Sequence, residues 1–207
     1  METGKFLNTI AKIISVLFHP LIIPTFGCIV IFNSGYYVGL LNPKIMQAVY
    51  IVVFVLTFLL PALIIPALYL QKYITSFAID EKNERLLPIT IVAVMYGLSY
   101  YFMQRSGFPP ILLHFILGCI ICLVLGLLIT IKWKISLHMI GLGGLTGLIV
   151  FLAHSYGLGL HYFLIFVILA SGVTATARLI LQSHNQLQVY AGYFLGVAGI
   201  WLSMIFL

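Results

Sequence analysis

The chain has 207 residues, of which 63% are hydrophobic and only 7% are charged, and its mean hydropathy is +1.20. Soluble domains carry roughly 25% charged residues, so this composition excludes a soluble globular protein and an intrinsically disordered one. The 3 cysteines and 18 glycines recur without a period, which excludes a small disulfide scaffold and a collagen-like repeat. The net charge of +6 comes from ten basic residues scattered between apolar segments, so no nucleic-acid partner is expected. We expect a single integral membrane domain covering residues 1–207.

Seven apolar segments approach the length of about 20 residues that a membrane-crossing helix needs. None of them alternates in polarity as a barrel strand would, so all are expected to be helices. The predicted fold class is therefore all-α, a polytopic transmembrane helical bundle of six to seven membrane helices. In chain order the predicted spans cover residues 13–32, 45–70, 86–103, 111–131, 137–153, 162–177 and 189–207.

The first span is the least regular. His19, Pro20 and Pro24 interrupt its apolar run, which predicts a kinked or partly interfacial helix. Lys5 and Lys12 precede it, as basic residues precede a signal peptide, but no small-residue cleavage site follows. We therefore expect this segment to remain in the mature protein.

The basic residues are distributed unevenly between the two faces of the predicted bundle. With seven crossings, one face has eight of them and the other has only Lys44 and Arg105. The positive-inside rule then places the first face in the cytoplasm, and without three functional candidates the count is still five against two. The expected location is a bacterial inner membrane. The eight residues are Lys5, Lys12, Lys72, Lys82, Arg85, Lys132, Lys134 and Arg178.

Three polar clusters stand immediately before predicted spans 3, 5 and 7. Because an even number of crossings separates them, all three are expected on one membrane face, as a composite site requires. The alternative is that charged residues lie in loops in any case and that no site joins them. The clusters contain Lys82 and Arg85, Ser136 and His138, and Arg178 and His184.

Spacing within the first two clusters predicts their local geometry. Lys82 and Arg85 are three residues apart, so on a helical turn they share a face and could bind an anion. Pairing with the acidic residues at positions 80, 81 and 84 is the alternative. Ser136 and His138 are two residues apart and point the same way only if the segment is extended, which a helix beginning at or after His138 would allow.

The third cluster requires a break in the helix. Arg178 and His184 are six residues apart and would lie on different faces of one continuous helix. Ser183 and Gln186 match a capping box, which predicts a new helix there with His184 in its first turn, where amide donors favour an anion. Gln188 follows His184 by four residues, within side-chain reach on the same face.

Other conspicuous residues have structural interpretations. The cysteines at 119 and 122 and the glycines at 141, 143, 144, 147, 192 and 196 are expected to serve helix packing. No pair of histidines at helical spacing supports a haem or metal site, so neither a cofactor nor a metal is expected. The histidines interpreted as packing residues are His19, His114, His154 and His161.

Residues 177–192 resemble the third signature of the type 2 phosphatidic acid phosphatase family, which is Ser-Arg, five residues, His, three residues, Asp. Arg178 and His184 match it in type and spacing, whereas Ala177 stands at its Ser and Gln188 at its Asp. Residues 135–138, Ile-Ser-Leu-His, resemble the family's Pro-Ser-Gly-His. Residues 82–88 share the Lys, Arg and Pro of its first signature but not their spacing. The resemblance covers about residues 80–200.

The resemblance implies a division of labour. His184 would attack phosphorus and become a phosphohistidine, and His138 would protonate the departing alcohol. Gln188, in place of the family's carboxylate, would orient the nucleophile. The residues that would hold the phosphate oxygens are Arg178, Lys82, Arg85 and Ser136.

The expected function is therefore that of a membrane phosphatase acting on a lipid phosphate or diphosphate, with substrate and membrane lipids as partners. Because Gln188 is uncharged, a catalytically degenerate relative that binds or transports anionic lipid is the alternative. A haem-binding or proton-carrying membrane subunit is a third class, and a Soret band in the pure protein would be its signature.

Overall fold

The computed structural model describes residues 2–36, 41–75 and 82–206, with side chains from residue 4 in the first part and from residue 84 in the third. Within these ranges all regular structure is helical. A 3-10 turn at Pro20–Ile22 joins α1 to α2, and a π-helical segment at Val55–Leu59 joins α3 to α4. The helices are α1 Glu2–Leu17, α2 Ile23–Asn33, α3 Pro43–Phe54, α4 Leu60–Leu70, α5 Lys82–Arg105, α6 Pro110–Lys132, α7 Leu137–Tyr156, α8 His161–Ile180 and α9 Gln186–Phe206.

These helices form seven spans, within the described ranges, that are long and apolar enough to cross a membrane. The predicted all-α transmembrane bundle is thus confirmed, and the chain is an integral, multi-pass membrane protein. The spans alternate in direction. One end of the bundle, called here the site end, therefore contains the starts of α2, α5, α7 and α9 and the ends of α4, α6 and α8. The spans are Gly4–Asn33, Pro43–Leu70, Glu84–Arg105, Pro110–Lys132, Leu137–Tyr156, His161–Ile180 and Gln186–Phe206.

The predicted break in the first span is present, although the helix before it begins earlier than expected, at Glu2. α1 ends at Leu17, because Pro20 cannot donate a backbone hydrogen bond and disfavours helical geometry at the residue before it. His19 is extended, with φ −64° and ψ 136°, and its Nδ1 accepts a hydrogen bond of 3.3 Å from the amide of Leu21. The side chain of His19 therefore caps the turn that leads into α2.

The centre of the bundle is the pair α7 and α9, which pack backbone to backbone through glycine. A Cβ atom at Gly143 would collide with the carbonyl of Tyr193, and one at Gly196 with the carbonyl of Ile140. Only residues without a side chain permit this approach, so the predicted small-residue contact is confirmed. Gly141 differs from the others, since it faces Ile23 of α2.

The expected structural role of the two neighbouring cysteines also agrees with the fold. Cys119 and Cys122 are free thiols on α6, and Cys122 is part of the hydrophobic core.

The N-terminal segment lies against α7 and α8. The ring of His19 packs edge-on against His138 at the start of α7, and Tyr36 stacks on Tyr156 at its end, so α2 runs parallel to α7. α1 packs chiefly against α8. This arrangement brings the junction of α1 and α2 to the polar residues at the site end.

Candidate functional site

Cationic and imidazole side chains from several inter-helix connections come together at the site end. Arg85 is in the first turn of α5, Lys134 follows α6, and Arg178 is in the last turn of α8. All three exert an electrostatic effect on His184, which is only 8% exposed at the start of α9. Arg178 also acts on His138. The three clusters that the sequence separates by tens of residues therefore share one location.

A Schellman motif ends α8 at Ile180, two residues after Arg178. Gln182 has a left-handed φ of +51°, and its amide donates to the carbonyl of Leu179 at 2.9 Å. The amide of Ser183 donates back to the carbonyl of Arg178 at 3.2 Å. These are the two bonds that define the motif, and they turn the chain so that His184 returns towards the end of α8.

The helix break was predicted correctly, but its capping residues were not. Asn185, rather than Ser183, caps α9: the amide of Gln188 donates to its Oδ1 at 3.0 Å, and its own amide donates to Oε1 of Gln188 at 3.2 Å. The amide of Ser183 completes the Schellman motif of α8, so it does not donate to the side chain of Gln186 as a capping box at 183–186 would require. His184 therefore precedes the helix instead of standing in its first turn.

This capping box determines the tautomer of His184. Oε1 of Gln188 lies 3.2 Å from Nδ1 of His184, as the spacing predicted. Because the amide of Asn185 can only donate, it identifies that atom of Gln188 as the carbonyl oxygen. Nδ1 of His184 must then carry the proton, and Nε2 carries the lone pair.

His184 is neutral at physiological pH. Burial lowers its pKa from 6.5 to about 4, and the positive charges of Arg178 and Arg85 add to the decrease. The hydrogen bond that Nδ1 of His184 donates to Gln188 raises the pKa, and Lys134 contributes a further, smaller lowering. An imidazole in this state has a free lone pair on Nε2, which is the form that a nucleophile requires.

Ser136 and His138 form the neighbouring wall of the site. Ser136 is extended, with φ −85° and ψ 106°, but α7 begins at Leu137, so His138 already lies in the helix and the predicted condition, a helix beginning at or after His138, is not met. The Ser136 hydroxyl is fully buried and has no hydrogen-bond partner among the described residues. Its amide donates to the carbonyl of Gln188 at 3.4 Å, which ties the starts of α7 and α9 together.

The first cluster is described in part. Lys82 is the first residue of α5, and its side chain lies outside the described part of the chain, as do Asp80 and Glu81. Arg85 is 8% exposed. The carboxylate of Glu84 accepts hydrogen bonds from the amide and hydroxyl of Thr75, at 2.9 and 3.1 Å.

Three residues belong to this location that were not assigned to it from the sequence. The hydroxyl of Ser15 accepts a hydrogen bond of 3.3 Å from Nη1 of Arg178, and its carbonyl lies 3.0 Å from Nε2 of His138. His19 was interpreted as a hydrogen-bonded packing histidine; its Nδ1 does accept from the amide of Leu21, and its ring packs 5.5 Å from that of His138, which places it at the site end. Lys134 entered only the charge count. The site thus extends beyond residues 80–200.

The three histidines at the site end do not form a metal centre. Among the residues that the structure describes, no group of three His, Cys, Asp or Glu side chains could hold a metal ion. The donors that do converge here are guanidinium, ammonium, hydroxyl and imidazole groups. Such a set is complementary to an anion with several oxygen atoms, of which phosphate is the usual example.

Comparison with known proteins adds no relative. No family model matches the chain, and no similar protein was found among curated proteins or among solved structures.

Proposed function

We propose that the chain is a membrane-embedded phosphatase that hydrolyses a lipid phosphate or diphosphate through a phosphohistidine, in the manner of type 2 phosphatidic acid phosphatases. The observation that carries the proposal is the state of His184. Its Nδ1 is held by Gln188, its Nε2 bears the lone pair, and cationic side chains surround it. A neutral imidazole among cations is suited to attack a phosphorus atom whose oxygens those cations hold.

The chemistry then proceeds in two displacements. Nε2 of His184 forms a bond to phosphorus while the bond to the leaving oxygen breaks, and His138 supplies a proton to that oxygen. Water next attacks the phosphorus atom, His138 accepts a proton from that water, and the bond between phosphorus and Nε2 breaks, which releases inorganic phosphate and restores both histidines. Arg178, Arg85 and the buried hydroxyl of Ser136 bind the phosphate oxygens in both steps, and Lys82 is proposed to join them.

The apolar surroundings of the site support a lipid substrate. A small apolar cavity of about 50 Å³ lies between α2, α5, α6, α7 and α9, and its lining includes Pro20 and Leu137 beside the polar cluster. A headgroup at His184 would place the start of its hydrocarbon chain beside this cavity, with the rest of the chain between the helices and the membrane lipids. We further propose a bacterial inner membrane as the location, with the site on the face that the positive-inside count assigns to the cytoplasm.

The deciding experiment measures inorganic phosphate released by detergent-purified protein from a panel of lipid phosphates, ranging from phosphatidic acid to polyprenyl diphosphates. We expect turnover by the wild type, and no turnover and no acid-labile phosphoprotein in His184→Ala. His154→Ala is the matched control, because His154 is exposed near the opposite end of α7. Full activity in His184→Ala would refute the assignment.

A second candidate function rests on Gln188. Its amide holds His184 in the tautomer with a lone pair on Nε2, but it lacks the charge with which a carboxylate would stabilise the imidazolium that forms during attack. A protein that binds or transports anionic lipid would use the same cations without chemistry. Saturable binding of lipid phosphate with no release by the wild type, and release by Gln188→Asp, would establish this second function.

A further inference from the structure

Ser15 contacts both Arg178 and His138. In the proposed function, Arg178 binds the substrate phosphate and His138 gives a proton to its leaving oxygen. Its hydroxyl oxygen accepts from Arg178, and its carbonyl oxygen accepts from His138. Because a carbonyl can only accept, Nε2 of His138 carries the proton and is directed at Ser15. Two oxygens of one residue thus take the hydrogen bonds that two oxygens of a phosphate ester would take.

The end of α1 is also electrostatically similar to an anion. The carbonyl of Ser15 would normally accept from the amide of His19, but that amide bonds instead to Val16, at 3.3 Å. The break at His19 and Pro20 therefore leaves the Ser15 carbonyl without a partner in its own helix. The last carbonyls of a helix bear partial negative charge, and here they face Arg178 and His138.

These contacts compete with a bound phosphate. A headgroup that accepts from Nη1 of Arg178 and takes a proton from Nε2 of His138 needs the positions that the two Ser15 oxygens occupy, and its negative charge is repelled by the negative end of α1. We infer, building on the proposed function, that Ser15 occupies the phosphate position in the resting protein and that α1 moves away when a lipid phosphate binds.

The packing of α1 is suited to such a movement. α1 packs chiefly against α8, and a groove lined by Gly4, Leu7 and Asn8 on one side and residues 180–182 on the other separates the two at the start of α1. Large apolar side chains on α1 are exposed and would remain in lipid after displacement, so little apolar surface would enter water. They are Phe6, Leu7, Ile10, Ile13, Val16 and Leu17.

The first test measures equilibrium binding of orthophosphate to purified wild type and Ser15→Ala. Removing the competing hydroxyl should tighten binding by about three- to tenfold, the worth of one hydrogen bond. Thr9→Ala is the matched control, because Thr9 is an exposed residue of α1 whose hydroxyl bonds only to the carbonyl of Lys5. Equal or weaker binding by Ser15→Ala would mean that Ser15 is structural or assists binding, and would overturn the inference.

The second test uses unmodified protein. Hydrogen exchange of the α1 amides, residues 4–17, should accelerate when orthophosphate or a short-chain phosphatidic acid is added, while α6 stays protected. Acceleration by orthophosphate shows that the headgroup alone displaces α1, and acceleration only by the lipid shows that the chain is also needed. Unchanged or slower exchange with bound ligand contradicts displacement.

The outcomes separate this inference from the phosphatase assignment. If ligand binding releases α1 but no lipid phosphate is hydrolysed, the inference stands and the enzymatic function fails. If hydrolysis requires His184 but α1 exchange is unchanged, the enzymatic function stands and the inference fails. If neither probe binds, the anion site is absent and both fail.

Discussion

Oε1 of Gln188 lies 3.2 Å from Nδ1 of His184 and 3.2 Å from the amide nitrogen of Asn185, so one amide oxygen both caps α9 and orients the imidazole. The capping bond fixes the side chain of Gln188 independently of the imidazole. His184 is thereby oriented by the helix start itself, and only the charge at position 188 distinguishes this arrangement from a His-carboxylate pair.

Gln188→Glu should increase the rate of phosphohistidine formation. The carboxylate has the same length, still accepts both hydrogen bonds, and stabilises the positive charge that develops on the imidazole. We expect about a tenfold gain in single-turnover rate, which corresponds to about 1.4 kcal/mol for making this hydrogen bond charge-assisted. Gln186→Glu is the control, since it adds the same charge to an exposed position in the first turn of α9 without contacting His184. Equal gains in both variants would show a general effect of charge.

The protonation of His184 should be observable directly. Its pKa of about 4 means that the imidazole is neutral at all pH values above about 5. An NMR titration of ring-labelled histidine should therefore show one resonance that titrates well below 6.5 and that is absent from His184→Ala. Because the folded-state pKa is lowered, the unfolded chain binds the proton more readily, and stability is lost as pH falls from 6.5 to about 4. A midpoint near 6.5 for this resonance would contradict the buried, cation-surrounded site.

Arg178→Ala should weaken the binding of lipid phosphate under either candidate function. A charge-assisted hydrogen bond contributes about 1.5–3 kcal/mol, so the dissociation constant should rise by about 10- to 150-fold. Arg105→Ala is the matched control, because Arg105 lies at the opposite end of the bundle, over the ring of Tyr101. Equilibrium binding in detergent is the measurement. Equal affinities for the two variants would exclude the site end as the place where phosphate binds.

Gly196→Ala should destabilise the protein although it adds only one methyl group. The new Cβ would meet the carbonyl of Ile140 and the amide nitrogen of Gly144, which are backbone atoms that cannot rotate away. Overpacking of this kind costs about 1–3 kcal/mol. Gly172→Ala on α8, where a Cβ has open space, should leave the melting temperature unchanged or slightly higher. Thermal unfolding in one detergent compares the two variants.

The sequence was sufficient for features that depend on local composition. Long apolar runs predicted the seven spans, and the spacing of His184 and Gln188 predicted their contact. The capping register was missed because two overlapping segments, 183–186 and 185–188, both match a capping box. The choice between them is made by the end of the preceding helix, where Ser183 is already used.

The contribution of α1 could not be predicted, because its contacts join residues distant in the chain. Ser15 is 123 residues from His138 and 163 residues from Arg178. No periodicity records such a pairing, and the break at Pro20 had a sufficient explanation as a kink. The sequence did place Ser15 and His19 on either side of the end of an otherwise apolar helix, and ionisable residues in such a setting are often functional.

The glycine contact between α7 and α9 makes these two helices less tolerant of substitution than the helices on the other sides of the apolar cavity. His138 and His184 stand at the starts of these two helices, which are joined as one rigid unit. The apolar cavity is walled on its other sides by α2, α5 and α6. Under the proposed function, residues of those three helices beside the cavity can be exchanged to change the contacts with a hydrocarbon chain while the two imidazoles keep their separation. Selectivity for the chain and the geometry of the two imidazoles would then be independent of each other.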